Sequence, residues 1–204
     1  KTINSLKFCT NDFPRILTMQ LIWFRQDLRI HDHAALWHAT QQGTCIALVV
    51  LSPEQWKLHQ DARIKIDFYL RRLDVLKQQL AQLNIPLIIL NVPLWQDLSA
   101  EMLSLCQKLQ IDTLHANIEV GVHELQRDAQ VQQILEQQQI RVELYHDRSL
   151  FPLTSIRNQS NQPYQVYSAF KKKCYERLIQ NIPGCYPAIQ PQDPLELPDQ
   201  LTSF

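Results

Sequence analysis

Glycine is scarce in this chain of 204 residues, which contains only Gly43, Gly121 and Gly184. Three glycines this far apart form neither a G-x-G-x-x-G turn nor a Walker loop. Both of those turns bind pyrophosphate through backbone amides that a glycine-rich segment leaves accessible at a helix N-terminus. The sequence therefore excludes dehydrogenases that bind NAD through such a turn, and it excludes P-loop nucleotide hydrolases.

Paired cysteines, membrane-length apolar runs and a net charge are also absent. The five cysteines are scattered without a C-x-x-C pair, which argues against a disulfide framework or a structural zinc site and favours a cytoplasmic location. No apolar run reaches the roughly 20 residues of a membrane helix, and no signal-peptide pattern is visible. Twenty basic and twenty acidic residues give a formal net charge of zero, unlike a free-standing nucleic-acid-binding domain.

What the sequence does contain is a regular alternation of apolar runs and amphipathic helical patterns. Strands that alternate with helices indicate a parallel sheet with right-handed crossovers. We therefore predict an α/β fold, a doubly wound, Rossmann-like domain with a five-stranded parallel sheet. The predicted strands cover residues 19–25, 45–51, 86–92, 113–118 and 141–146, and the predicted helices cover 32–43, 62–83, 97–110, 122–139 and 167–180.

Three segments of different character divide the chain. Residues 1–18 precede Met19 and lack periodicity, so we interpret them as a non-native or disordered leader before a natural start at Met19. Residues 19–148 form the predicted α/β domain. Residues 149–204 hold a polar loop, one helix and five prolines between positions 183 and 198. That proline density disfavours regular helix and predicts an extended connector to a further domain, so that the chain reads as a fragment.

The segment WFRQDLRIHDHAAL (residues 23–36) places charges at the first strand-to-helix corner, where open α/β sheets bind ligands. Two interpretations of Arg25, Asp27 and Arg29 remain open. They form a self-satisfied ion-pair cluster that fixes the turn, or they form a docking surface or anion clamp. Asp32 is the predicted N-cap of the following helix, and Gly43 is the predicted C-cap.

Glu124 is a second candidate, because it follows Gly121 in the first turn of a predicted helix. Its carboxylate either complements the helix dipole or accepts hydrogen bonds from the N–H groups of a ligand. Glu119 and Glu124 also form one of several conceivable carboxylate pairs. We predict that Gly121 permits a tight turn at this point.

Two other groups of residues suggest chemistry without fixing it. His31, His33 and His38 are close in sequence, but no carboxylate or cysteine stands at ligand spacing with all three, so we predict no metal site. The basic run at residues 171–173, with Arg177, is either a solvated helix face or a surface that an acidic partner contacts.

The same residues resemble a known family. WFRQDLRIHDHAAL is similar to the W-F-R-x-D-L-R-x-x-D-N-x-A-L pattern that opens the DNA photolyase/cryptochrome family, with His33 in place of the usual asparagine. NIPLIIL, ANIEVGVHELQRD and QPYQVYSAFKKKCYERL resemble further family segments in the same order. The likeness extends from residue 19 to about residue 180. Among the branches it is closest to bacterial folate-type cyclobutane pyrimidine dimer photolyases.

The resemblance implies a function and a division of labour. It identifies residues 19–148 as the amino-terminal antenna domain of a light-driven DNA-repair lyase, with FAD and pyrimidine-dimer DNA bound by a missing carboxy-terminal helical domain. It implies 5,10-methenyltetrahydrofolate as the antenna chromophore ahead of a deazaflavin, with Glu124 and His123 at the position of the Asn-Glu pair that contacts the pterin. His123 departs from that asparagine. The charges of Arg25, Asp27, Arg29 and Asp32 are implied to lock the corner and to face the helical domain.

The resemblance also leaves alternatives open. A cryptochrome-type blue-light photoreceptor shares the opening motif, and a stand-alone α/β scaffold module shares the fold. In the first interpretation the full-length protein is a cytoplasmic monomer without a membrane segment. The isolated chain carries no catalytic residue of its own and is not expected to repair DNA.

Overall fold

The computed structural model of the chain describes residues 18–197. The predicted leader, apart from Thr18, and residues 198–204 lie outside the described residues. Each of the five predicted strands is confirmed, with ends that shift by no more than about one residue. The strands are β1 (Met19–Phe24), β2 (Thr44–Leu51), β3 (Leu87–Asn91), β4 (Thr113–Asn117) and β5 (Arg141–Tyr145).

The strands form one sheet with the order β3-β2-β1-β4-β5, and every neighbouring pair is parallel. From β1 the chain first moves outward to β3 and then restarts at β4 on the other side of β1. The carboxyl ends of β1 and β4 therefore flank a topological switch point, which is where open α/β sheets bind ligands. This topology confirms the predicted doubly wound, Rossmann-like α/β fold.

The central strand β1 is apolar from Leu21 to Phe24 because helices cover both faces of the sheet. Leu21 and Trp23 of β1 pack into the core on one face, and Ile22 and Phe24 pack into the core on the other. All four side chains are at most 2% exposed. Burial of a side chain of this size stabilises a fold by about 1.5–3 kcal/mol. Because alternate residues of β1 face opposite sides of the sheet, the strand packs against the helices on both faces.

The helices also follow the prediction, with one addition. They are α1 (Ala34–Gln42), α2 (Pro53–Leu58), α3 (Arg63–Gln82), α4 (Leu98–Lys108), α5 (Val122–Gln137) and α6 (Tyr167–Gln180), and a 3-10 turn covers Trp95–Asp97. The sequence prediction missed α2, which buries no residue and is too short to show a period. Its one signal is Pro53 at the first helical position. Among residues 18–197, none of the helices combines the length and the apolar character that a membrane span requires.

The prediction that Asp32 caps α1 is wrong. His33 is the N-cap, and its Nδ1 accepts a hydrogen bond from the backbone N–H of Leu36 at 3.1 Å. Asp32 has a φ of 47° and its carboxylate instead accepts a hydrogen bond from the backbone N–H of Tyr186. The predicted C-cap at Gly43 is confirmed, since its N–H donates to the carbonyl of Ala39.

Residues 181–197, called the connector segment below, contain neither helix nor strand, as the proline density predicts. The segment nevertheless lies against the amino-terminal edge of the sheet. The Gln192 side chain pairs with both backbone groups of Cys45, at 2.8 and 3.1 Å, and donates to the carbonyl of Asn84 at 2.9 Å. One glutamine therefore completes hydrogen bonds at the start of β2 and before β3.

A fully buried histidine lies inside the sheet. His115 of β4 places Nδ1 2.9 Å from the Tyr145 hydroxyl and Nε2 2.8 Å from Oε1 of Gln20. Burial lowers the pKa of His115 to about 4, although the nearby Glu143 carboxylate opposes that shift. The imidazole is consequently held in its neutral form at ordinary pH.

Candidate functional site

A cleft opens at the carboxyl ends of β1, β2 and β4, at the switch point of the sheet. We call it the carboxyl-edge cleft. Its volume is about 60 Å³, which is room for about two water molecules and far below the several hundred Å³ of a typical cofactor pocket. The side chains that line it include Trp23, Arg25, Ser52, Trp95, Glu119, Glu124 and Arg127.

An arginine lies between two tryptophans at the mouth of this cleft. The guanidinium carbon of Arg127 is 4.7 Å from the ring centre of Trp23 and 4.6 Å from that of Trp95. The guanidinium of Arg25 lies 4.7 Å from the Trp23 ring as well. Each of these cation–π contacts is favourable, most of all where the groups are desolvated. The space that a planar ring would need between the two tryptophans is thus occupied by the protein itself.

Buried ion pairs hold both guanidinium groups. Arg25 donates to Asp128 at 2.9 Å, and Arg127 donates to Glu119 at 2.9 Å and to Asp128 at 2.6 and 2.9 Å. Arg148, which is half-exposed, adds a hydrogen bond to Glu119 at 2.9 Å. We call these five residues the ion-pair network. Three cations face two carboxylates in it, so the network has an excess of hydrogen-bond donors.

Several buried polar groups in and beside the network find no hydrogen-bond partner among the described residues. Within residues 18–197, Nε and one Nη of Arg25, Nε1 of Trp23 and the hydroxyl of Ser52 have no hydrogen-bond partner. All three side chains line the carboxyl-edge cleft and are at most 5% exposed. Burial lowers the pKa of Arg25, and the charges of Asp128 and Glu119 oppose this shift. Unsatisfied buried donors cost about 1–3 kcal/mol each, so a ligand oxygen placed here would be stabilised.

The corner that contains Asp27 is satisfied within the domain. Its carboxylate is 3.0 Å from Nε2 of His33 and accepts a hydrogen bond from the Asn117 side-chain amide at 2.7 Å. The Asn117 side-chain oxygen in turn accepts from the backbone N–H of Ala35 at 3.0 Å. Burial alone would raise the pKa of Asp27, but the hydrogen bond and charge of His33 and the contacts of Arg25 hold it well below its usual range.

The structure also places the remaining charges of the corner. Arg29 donates to both oxygens of Asp147 at 2.7 and 2.8 Å, on the segment after β5. Arg25, Asp27 and Arg29 thus make side-chain contacts with three different parts of the fold. Whether these charges also face another domain remains a prediction.

His123 and Glu124 lie in the first turn of α5 at the rim of the cleft. Glu124 is half-buried, lines the cleft and accepts no hydrogen bond from any described residue, whereas His123 is exposed, with its ring centre 5.4 Å from that of His59. The predicted reason for Gly121 is wrong, because its φ of −68° suits any residue. A Cβ there would lie 1.9 Å from Oε2 of Glu124, so glycine provides room for that carboxylate.

Sequence reasoning missed several residues of this site. Arg127 and Asp128 were visible only as part of the ANIEVGVHELQRD segment, and Trp95 and Ser52 were not singled out at all. Their signal would have been position, since each lies on a segment that follows β2, β3 or β4 at the carboxyl edge. No group of three or more potential metal ligands occurs within the described part of the chain.

Comparison with known proteins assigns the family. The family model named DNA photolyase matches residues 20–188, a range that includes the sheet, the cleft and α6. The chain therefore belongs to the DNA photolyase family. The predicted resemblance is confirmed by this match.

Individual relatives agree with that assignment. The deoxyribodipyrimidine photolyase of Buchnera aphidicola subsp. Acyrthosiphon pisum is 37% identical over 169 residues, which cover 82% of this chain and 35% of that protein. The chain spans about a third of the length of the curated relatives that it matches.

Solved structures show the same fold at lower identity. The cryptochrome of Synechocystis sp. superposes with a TM-score of 0.70 at 20% identity, covering 92% of this chain and 41% of that one. An archaeal photolyase from Sulfolobus tokodaii, solved with two FAD molecules, gives a TM-score of 0.65 at 18% identity, with 76% and 34% coverage. The Rossmann-like fold of this chain is thus that of photolyases and cryptochromes.

Proposed function

We propose that this chain is the light-harvesting antenna part of a deoxyribodipyrimidine photolyase, a carbon–carbon lyase that repairs cyclobutane pyrimidine dimers in DNA. Membership of the DNA photolyase family and a ligand-type cleft at the carboxyl edge support this proposal. Because the chain spans about a third of its curated relatives, FAD and the damaged DNA would be bound by the carboxy-terminal helical domain of the whole protein. The chain alone would then not repair DNA.

The cleft fits the edge of a planar heterocycle that carries both a carbonyl oxygen and N–H groups. Arg25, Trp23 and Ser52 direct unsatisfied donors towards it, and Glu124 offers a free carboxylate at its rim. The pterin of 5,10-methenyltetrahydrofolate has such an edge. The resemblance of the sequence to folate-type members places the folate first and a deazaflavin second.

A larger surface groove continues from the cleft and suits the remainder of a folate. It has a volume of about 510 Å³, includes His123 and Gln126, and shares Trp95 and Arg127 with the cleft. In this arrangement Glu124 would bind the pterin amino group, and His123 would line the groove. When both are bound, the folate would supply light absorption, and reduced FAD would supply an electron that opens the cyclobutane ring and then returns to the flavin.

The rim of the cleft also fits a docking face for the helical domain. Contacts of Trp56 with Tyr69 and of His59 with His123 bring the end of α2 and the starts of α3 and α5 to the same rim. Apolar side chains exposed on these elements are Leu58, Ile64, Phe68, Val122 and Leu125. An exposed apolar patch of this kind is typical of a surface that another domain or protein covers. With its own helical domain in place, we expect a cytoplasmic monomer.

Titration of the chain with 5,10-methenyltetrahydrofolate, followed by near-ultraviolet absorbance and fluorescence, tests the proposal. Glu124→Gln should weaken binding about 10–100-fold, because a hydrogen bond to a charged group contributes about 1.5–3 kcal/mol. Gly121→Ala should weaken binding with all charges intact, because the new methyl group displaces the Glu124 carboxylate. Glu101→Gln is the matched control, since Glu101 is in the first turn of α4.

Equal effects of Glu124→Gln and Glu101→Gln would contradict the placement of the pterin. Tighter binding of a deazaflavin than of the folate would overturn the choice of antenna. Stoichiometric FAD on the purified chain would contradict the division of labour between the two domains.

A cryptochrome-type blue-light photoreceptor is the second candidate, favoured by the fit to the Synechocystis cryptochrome. Light-dependent reversal of pyrimidine dimers by the full-length protein separates the two functions. Repair supports the photolyase, and its absence in a protein that retains FAD supports the photoreceptor.

A further inference from the structure

The positive charge of this neutral chain is concentrated in one segment. Residues 149–180 contain five of the twenty lysines and arginines and only one of the twenty acidic residues, Glu176. No residue of α6, which carries most of these cations, is buried. The segment therefore presents a basic surface that the composition of the whole chain conceals.

Most of these cations have no carboxylate partner. Within the described residues, only Lys173 forms an ion pair, a solvent-exposed one with Glu176 at 3.3 Å. Lys171 lies 5.7 Å from the ring centre of Tyr175. Arg157 donates to the carbonyl oxygens of Thr154 and Asn161, which leaves its charge uncompensated. The positive field of the segment is thus available to a partner.

The cations line a groove that the chain holds in shape. The groove lies between the loop at residues 154–162 and α6, and it has a volume of about 470 Å³. Inside the loop, Oδ1 of Asn158 accepts hydrogen bonds from the backbone N–H groups of Ser160 and Gln162 at 3.0 and 2.9 Å. Arg177 fastens the loop to α6 by donating to the carbonyl and hydroxyl oxygens of Ser155. A groove ordered in advance loses less entropy when it binds.

We infer that this groove binds the sugar-phosphate backbone of duplex DNA. Its lining combines three cations and one carboxylate with the amides of two side chains and the ring of Tyr164: the charged residues are Arg157, Lys172, Lys173 and Glu176, and the amides are Asn158 and Gln159. Lysine, arginine and amide side chains are the groups that contact phosphate and sugar oxygens. The choice of DNA among polyanions rests on the proposed function. The contact is independent of base sequence and of damage, and it positions the protein on DNA.

The test measures binding of the 204-residue chain to an undamaged DNA duplex, in the dark, at several salt concentrations. If about four phosphates are neutralised, affinity should fall roughly 150-fold between 50 and 200 mM salt. Lys172→Gln with Lys173→Gln should lower that dependence to about 12-fold. Lys77→Gln with Lys108→Gln removes the same charge from exposed helical lysines elsewhere and should change nothing. Glu176→Gln should tighten binding.

Three outcomes would overturn the inference. They are absence of salt-dependent binding, equal weakening by the two lysine pairs, and binding to anionic phospholipid vesicles with the same lysine dependence and equal strength. A thermal melt of each variant confirms that it is folded. Because no folate, FAD or light is used, failure here leaves the antenna proposal standing, and failure of folate binding leaves this one standing.

Discussion

The α/β domain and the α6 region use the same residue types in opposite ways. Around the carboxyl-edge cleft, Arg25 and Arg127 are at most 7% exposed, and each contacts two carboxylates. On α6, Lys171 and Lys172 are exposed and form no ion pair within the described residues. A buried charge must be paired because desolvation is costly, whereas an exposed charge costs little and remains available for binding. Burial therefore separates arginines that hold the fold together from lysines that recognise a partner.

We expect the largest loss of stability when a buried ion pair beside the cleft is removed. Asp128→Ala removes a carboxylate that contacts both Arg25 and Arg127, and it should lower the free energy of unfolding by about 3–5 kcal/mol because two buried charges lose a partner. Urea denaturation measures this change. Asp67→Ala, which breaks an exposed pair with Arg71, should cost at most about 1 kcal/mol. Similar losses in the two variants would contradict the role of burial.

A second prediction concerns acid. Burial lowers the folded-state pKa of His115 to about 4, below the ordinary histidine value of 6.5. Between these values the unfolded chain binds more protons, so stability should fall as the pH is lowered from 6.5 to 4, by up to about 3 kcal/mol. His115→Gln should remove this part of the pH dependence in urea denaturation. His31→Gln changes an exposed histidine and should retain it; a slope unaltered by His115→Gln would refute the prediction.

The connector segment provides a third, smaller effect. Gln192→Ala removes three side-chain hydrogen bonds to Cys45 and Asn84, and it should cost about 1–3 kcal/mol because buried backbone groups lose partners. Hydrogen exchange should show faster exchange of the Cys45 amide and unchanged exchange in β4. Gln190→Ala, two residues away and exposed, is the control. Uniform loss of protection across the sheet would mean that the segment contributes global rather than local stability.

We expect the smallest change in stability when exposed lysines of α6 are replaced. Lys172→Gln with Lys173→Gln should leave the free energy of unfolding within about 0.5 kcal/mol of the parent, because neither side chain is buried. Thermal unfolding checks this. A substantial loss of stability would show that these lysines hold α6 in place, and the division between structural and recognition charges would then fail.

The fold was predictable because its signals are local. An apolar run such as β2 marks a strand buried on both faces, and the alternation of short strand patterns with amphipathic helical patterns placed β1 to β5 within one residue. Helix α2 escaped because six residues cannot show a period. The N-cap was assigned to Asp32 from residue preference alone. The Asp32 carboxylate is instead bonded to Tyr186, a partner 154 residues away that no local pattern reveals.

The site was less predictable because its partners are distant in sequence. Arg25 was singled out, but Asp128 lies 103 positions away. Of the two tryptophans that contact Arg127, Trp23 belongs to β1 and Trp95 to the segment after β3. Glu124 was found because helix starts are recognisable. The closure of the cleft by Arg127 follows only from side-chain packing, which composition and spacing do not encode.

The position of β1 has a consequence for the order of events during synthesis. This strand is synthesised before the other four strands of the sheet, yet it is the central strand and pairs with both β2 and β4. The half-sheet of β1, β2 and β3 can assemble early, but Arg25 remains without its carboxylate until Asp128 has been translated, 103 residues later. Since an unpaired guanidinium resists dehydration, the nascent half-sheet keeps its edge at β1 open to water. The cleft can therefore close only after β4, the other neighbour of β1, has been synthesised. The ion pairs of Arg25 in this way link closure of the cleft to completion of the sheet.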